Sequence, residues 1–302
     1  MSIRDLVILG SSSQVPTRFR NHGAYLLRWN NEGFLFDPGE GTQRQFIYAN
    51  IAPTCITRIF ISHFHGDHCL GLGSILMRLN LDKVPHEVHC YYPGRFKEYF
   101  DRLRFGTVYH NTLKVVEHPV FEAGLVEERD GFKIEADFLE HGIENIGWRI
   151  TEADQIKFDK EKLKEKKVKG PLVREIEKQG SVEIDGEKIS LEDVSWIRKG
   201  DTFSYVVDTR YCPQALELAK NATLLLCEAT YLEQHKELAV QHYHLTAKQA
   251  AKIAKESQVK KLVLTHFSSR YQNISDILRE AKEVFANSVV AEDFKVIPFE
   301  KK

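Results

Sequence analysis

The seven residues Ser62-His63-Phe64-His65-Gly66-Asp67-His68 constrain this 302-residue chain more than any other stretch. Five of them can bind a metal ion or hydrogen-bond a side chain that does. The mostly apolar run Arg58-Ile59-Phe60-Ile61 just before them reads as a buried strand. The donors therefore sit at a strand's end. Two imidazoles one residue apart suit one cation, while Asp67 and His68, beyond the bend that Gly66 permits, suit a second beside it. A polar loop capping the following helix is the alternative, but so dense a set of donors points to two metals.

Other strand patterns end the same way. Ser204–Val207 runs into Asp208, Thr223–Cys227 into Glu228, and Lys261–Thr265 into His266, while Phe132–Ala136 leads to Glu140-His141-Gly142. Strands that each finish on a donor are what a sheet with a site along one edge requires. His63, His65 and His141 can fill one tripodal metal site, and Asp67, His68 and His266 a second. Asp208 is the natural bridge, since a bridging carboxylate turns one oxygen to each cation and neutralises charge between them. Two such metals suit phosphodiester hydrolysis. Glu228 and His244 form a further pair: either an acid that protonates a leaving oxygen, or a surface histidine in the polar run His242-Tyr243-His244.

Between these markers the chain alternates strands and helices after a β-rich opening. Leu6–Leu9, Ala24–Trp29 and Gly33–Phe36 read as strands, as do Val88–Tyr92, Leu113–Val116 and Trp148–Ile150. The spacing of Leu72, Ile75, Leu76 and Leu79 predicts a helix, and further helices are expected over Thr42–Ala49, Pro213–Ala219, Ala247–Lys255 and Ile274–Ala286. Thr246 and Gln249 form a capping box for the third of these. From Thr151 to Arg198 the apolar periodicity fades into charge, which reads as an insertion. Seven lysines lie between Lys157 and Lys169, followed by the chain-bending Gly170-Pro171. That segment fits either a solvated loop or a patch for a polyanion. Pro16–Asn21, with Arg18, Arg20 and Asn21, and Gly39–Gln43, with Thr42 and Gln43, fit phosphate contacts or ordinary turns equally well.

The net charge of −1 and pI near 6.9 exclude a uniformly basic nucleic-acid binder but not a local basic patch. Five cysteines, without a C-x-x-C pair, fit reduced thiols. No leader segment or membrane-length apolar run is present, so a cytoplasmic protein without membrane association is expected.

Taken in order, Pro16 to Asn21, Gly39 to Gln43, Ser62 to His68, Gly170-Pro171, Asp208-Thr209, Glu228-Ala229-Thr230, His244 to Ala247 and Thr265 to Tyr271 resemble the metallo-β-lactamase superfamily and, within it, the short-form ribonuclease Z family. The histidine motif alone resembles only the superfamily. Arg18 stands where the family usually has lysine, and Pro38 where it often has cysteine. The resemblance implies an αβ/βα sandwich of two mixed sheets flanked by helices, a single domain over residues 1–302 with an inserted flexible arm at 151–198, and two zinc ions per subunit. It further implies a homodimer that cleaves precursor tRNA after the discriminator base, with no DNA partner. Asp67 would be metal ligand and proton acceptor, and Glu228 and His244 would lie near the leaving oxygen. Arg18, Arg20, Asn21, Thr42, Gln43, Gly170, Pro171 and Arg270 would bind substrate. Another dinuclear-zinc phosphodiesterase acting on small substrates is the alternative within the same fold.

Overall fold

The computed structural model describes residues 3–129 and 131–299, and the chain divides into two compact units. The larger comprises Met1–Glu128, Ile134–Ile150 and Thr202–Lys302, the smaller Arg129–Lys133 and Thr151–Asp201.

Within the larger unit, one seven-stranded sheet takes the order Val296–Pro298, Ile3–Gly10, Ala24–Asn30, Glu32–Phe36, Arg58–Phe60, Val88–Pro93, Val115–Val120. Its first three pairings are antiparallel and its last three parallel, so the sheet is mixed. The other sheet runs Ser288–Val290, Lys261–Thr265, Leu224–Glu228, Thr202–Val206, Asn145–Glu152, Phe132–Leu139, Gly124–Arg129, and its pairings from the first to the fourth strand are parallel.

Side-chain alternation builds the layers, because successive strand residues point to opposite faces. Leu26, Leu35, Ile59, Ile61 and Cys90 join Leu72, Ile75, Leu76 and Leu79 of helix Leu72–Leu81 in one outer cluster. Phe36, Phe60 and Tyr91 point the other way and meet the second sheet in an aromatic interior. Phe36 lies 5.2 Å from Phe203 and 5.1 Å from Tyr205, and Phe60 lies 5.2 Å from Trp148, centroid to centroid. Arg58 is the polar exception. Its guanidinium, 1% exposed, is held between Glu32 and Glu127.

Some elements depart from expectation. The strand expected at Leu113–Val116 begins at Val115 and runs to Val120; the Asn80 side chain accepts the backbone N–H groups of Thr112 and Leu113, which keeps that stretch out of the strand. Helices Lys97–Phe105 and Lys236–His242 and strand Gly124–Arg129 escape a hydrophobic-pattern reading, being largely charged on their outer faces.

The smaller unit is not the patternless charged segment its composition suggests. Strands Gln155–Phe158 and Ser195–Arg198 pair antiparallel, helices Lys160–Glu165 and Pro171–Gln179 follow, and Ser181–Ile184 pairs with Glu187–Ser190 in a hairpin. Val168, Ile176, Val182, Ile189 and Val194 are its buried core. Gly170 has φ 54° and ψ −119°, a conformation closed to residues with a Cβ, and Pro171 then occupies the first helical position. Residues 151–198 carry 11 Lys and Arg against 12 Asp and Glu, so the lysine excess is local. Lys166 and Lys167 are already paired with Glu187 and Asp185.

The five cysteines are free thiols, and among the described residues no helix is long and apolar enough to cross a membrane.

Candidate metal centre and active site

Three residues that end strands in the larger unit, Asp37, Asp208 and His266, have left-handed backbones, with φ of 44°, 48° and 58°. Non-glycine residues rarely adopt this conformation, and such outliers collect at functional sites. Here they turn their side chains together at one end of the sandwich. His63 Nε2 lies 2.9 Å from His65 Nδ1 and 3.6 Å from Asp208 Oδ2, and His141 Nε2 lies 3.3 and 3.8 Å from the same two atoms. Beside them, His68 Nε2 and His266 Nε2 lie 3.3 and 3.5 Å from Asp67 Oδ2. Asp208 completes this second group, its Oδ2 3.3 Å from His68 Nε2 and its Oδ1 3.2 Å from His266 Nε2. Donors around a tetrahedral ion at roughly 2.0–2.2 Å stand roughly 3.3–3.6 Å apart, so these separations fit metal ligation.

Two further observations fit a cation. The buried atoms His68 Nε2, His266 Nε2 and Asp208 Oδ1 have no hydrogen-bond partner. Leaving such groups unpaired costs about 1–3 kcal/mol each, which a shared ion would offset. In addition, the opposite ring nitrogens are anchored. His68 Nδ1 donates to Asp37 Oδ2 at 2.8 Å. His63 Nδ1 donates to Ser62 Oγ, which itself donates to Asp37, and His266 Nδ1 donates to Thr230 Oγ1, which donates to Glu228. Anchoring Nδ1–H leaves Nε2 as the free donor. Burial would raise the Asp67 and Asp208 carboxyls, but the imidazoles around them reverse this and hold both well below the usual carboxylate range.

Glu228 is fully buried and accepts from Thr209 N, Thr230 Oγ1 and Leu245 N. His244 Nδ1 lies 3.1 Å from Glu228 Oε2. Burial pushes this imidazole down, and the carboxylates of Glu228 and Asp208 more than reverse it, to about 9. His244, Asp67, His65, His141, Asp208, His266 and Arg270 all line one cleft of ≈ 650 Å³.

The remaining expected substrate residues are scattered. Arg18 is exposed, with Phe19 beside it 80% exposed. Arg20, by contrast, is buried and donates to the backbone carbonyls of Tyr271 and Gln272, so it braces a loop and does not face solvent. Thr42 is buried and donates to Gly39 O, and Asn21 Nδ2 donates to Glu40 O. Gln43 borders a separate small hollow with Ser74, Met77 and Tyr109. Gly170 and Pro171 belong to the smaller unit. Sequence reading missed Asp37 and Thr230, which anchor the metal-facing histidines. Asp37 shares the strand-end position of the other donors, a signal masked by the turn-like Pro38-Gly39 after it.

Comparison with known proteins bears on the same site. A family model described as the metallo-beta-lactamase superfamily matches residues 17–153, and one described as a beta-lactamase superfamily domain matches 162–267. "Ribonuclease Z" of Protochlamydia amoebophila is 69% identical over 301 residues, covering 100% of this chain and 98% of that protein. "Ribonuclease Z" of Chlamydia pneumoniae is 58% identical with the same coverage. The crystal structure of the short form of human tRNase Z superposes with a TM-score of 0.73 at 26% identity, over 98% of this chain and 100% of that one. With its sandwich fold and its cluster of metal donors, the chain belongs to the ribonuclease Z family of the metallo-β-lactamase superfamily.

Proposed function

We propose that this protein is a zinc-dependent endoribonuclease that removes the 3' trailer from precursor tRNA. It cuts after the discriminator base, leaving a 3'-hydroxyl on the tRNA and a 5'-phosphate on the trailer. The observation that carries this reading is the placement of His244, oriented by Glu228, in the same cleft as the clustered metal donors. The names of the close relatives support the choice of substrate.

His63, His65 and His141 would hold one zinc and Asp67, His68 and His266 the other, with Asp208 shared between them. Two bound zinc ions would supply a nucleophile at neutral pH and offset charge on the phosphoryl oxygens. Asp67 accepts the proton of the attacking water. His244 gives its Nδ1 proton's hydrogen bond to Glu228, which leaves Nε2 to protonate the departing ribose 3'-oxygen. Arg270, exposed on the cleft wall, contacts a phosphate of the substrate, and exposed Arg18 with Phe19 offers a second phosphate and a stacking surface. Residues 151–198 act as the flexible arm that grips the tRNA body, and the active form is a homodimer in the cytoplasm.

Incubation of the purified protein with 5'-labelled precursor tRNA, with and without chelator, tests the reading. A single chelator-sensitive cut at the discriminator base is expected. Intact precursor tRNA, alongside chelator-sensitive hydrolysis of bis(p-nitrophenyl) phosphate, would keep the metal hydrolase and overturn the substrate.

A further inference from the structure

We infer that Arg210 is a positioning residue that, by stacking on Tyr243, sets the metal donor His141 and the acid His244 in one arrangement. The inference rests on the hydrolase reading of the site. Arg210 lies two residues beyond Asp208, in the loop that leaves strand Thr202–Val206. Its backbone N–H donates to Glu140 O at 3.0 Å, and the Glu140 N–H donates to Thr209 Oγ1 at 3.2 Å. Two hydrogen bonds thus fasten the loop of Asp208 to the loop of His141.

The Arg210 side chain extends this bracing to a third loop. Its guanidinium carbon stands 3.7 Å from the centroid of the Tyr243 ring, and Nη2 donates to Val240 O at 2.8 Å. Tyr243 ends helix Lys236–His242 with φ 59°, a left-handed conformation that is unfavourable for an aromatic residue. Glycine or asparagine would relieve that cost but would remove the ring. The guanidinium stacked on the ring face offsets that cost in part and favours the turn. The turn has two consequences. It brings Tyr243 O to 3.4 Å from His141 Nδ1, so that the opposite nitrogen, Nε2, faces the other donors, and it delivers the next residue, His244, to Glu228. One arginine therefore joins the three loops that bear Asp208, His141 and His244.

A phosphate-binding arginine would look different. Arg210 is not among the residues lining the cleft, its Nε is covered and without a hydrogen-bond partner, and Nη2 is occupied by a backbone carbonyl.

The test compares Arg210→Ala, Arg210→Lys, Tyr243→Ala and Tyr243→Phe with wild type by kcat and KM on precursor tRNA, turnover of bis(p-nitrophenyl) phosphate, zinc affinity by chelator competition, and melting temperature. Loss of an outer support of a metal site typically costs 10- to 100-fold in affinity or activity. Arg210→Ala is expected to lower kcat on both substrates, by a factor in that range on the small ester and at least as much on precursor tRNA, whose ribose leaving group also needs His244, with KM for tRNA unchanged and zinc bound more weakly. Tyr243→Ala should reproduce the loss, Tyr243→Phe should keep most of the function because the ring remains, and Arg210→Lys should recover only part. A rise in KM for tRNA alone, with zinc affinity and small-ester turnover unchanged, would make Arg210 a phosphate contact and overturn the inference. So would a change confined to melting temperature. A wild type that leaves precursor tRNA intact would sink the substrate reading alone, since zinc affinity and small-ester turnover still decide the arginine's role.

Discussion

The two units solve opposite problems with the same chemical vocabulary of charged side chains. In the larger unit the charges that matter are buried: Asp67, His68, Asp208, Glu228 and His266 are almost without exposure, and His68, Glu228 and His266 are each anchored by a further polar group. In the smaller unit the lysines of 157–169 are largely exposed, on a frame with five buried apolar residues. Burial fixes geometry to within the tolerance that metal ligation and proton transfer demand. Exposure suits contact with a charged partner, where individual contacts are weak and screened by salt. Damage to the first region should therefore appear in kcat and metal content, and damage to the second in KM and salt dependence.

The sharpest way to break this division is Asp208→Ala. Asp208 faces both groups of donors, so its removal should abolish binding of at least one metal and lower turnover of any phosphodiester by roughly 10³-fold or more. Metal analysis and small-ester assays together would show it; normal metal content would refute the bridging role. His244→Ala should cost roughly 10²- to 10⁴-fold in cleavage with metal content normal, the loss typical of a missing general acid. If zinc were lost instead, His244 would be a ligand. Against these, replacing 151–198 by a short Gly-Ser linker should lower kcat/KM on precursor tRNA by roughly tenfold or more at physiological salt, through KM, while small-ester turnover is spared. Equal loss on both substrates would show that the insert supports the body. Within the insert, Ile176→Ala should remove about 2–5 kcal/mol from its core. Amide exchange should then quicken across 155–198 and stay slow in the sheets.

The same contrast explains what could be read from the sequence. The body's site was legible because buried strands show as apolar runs, and although a lone strand-end Asp or His reads equally well as a turn cap or a structural residue, donors at the ends of several such runs point to one site. His63, Asp208 and His266 stood out for this reason, and the capping box of Thr246 and Gln249 formed as its spacing requires. The supports were not legible. Asp37 is a lone carboxylate beside Pro-Gly, and only the folded chain brings it to Ser62, His68 and Tyr205. Arg18 and Arg20 flank Phe19 and read alike. The Thr17 hydroxyl, which accepts the N–H groups of Phe19 and Arg20, tightens the turn there, and Arg20 ends up buried while Arg18 stays exposed. The insert's order was hidden under charge. Asp185-Gly186, with φ of 53° and 79°, is a two-residue hairpin turn whose Asp-Gly signature was present but surrounded by acidic and basic residues.

The smallest effect concerns Asp293, a buried acid of the larger unit outside the clusters of metal donors. Its Oδ2 accepts from Asn21 N at 2.8 Å and Gln45 Nε2 at 3.2 Å, and its Oδ1 accepts from Ser11 Oγ at 2.8 Å. Burial raises this carboxyl to about 6, against the pull of its hydrogen bonds and of Arg20. A carboxyl whose value is higher in the folded than in the unfolded chain holds its proton more tightly when folded. Its contribution to stability is complete below about pH 4 and is lost as pH rises through about 6. Asp293→Asn keeps the shape without the titration, so the stability of wild type relative to this variant should fall by up to about 3 kcal/mol between pH 4 and 7, at about 1.4 kcal/mol per unit. Urea denaturation of both proteins across that range reads the difference. A gap that does not change with pH would mean the carboxyl titrates as an exposed one does, and burial alone would then not distinguish the body's acids from those of the insert.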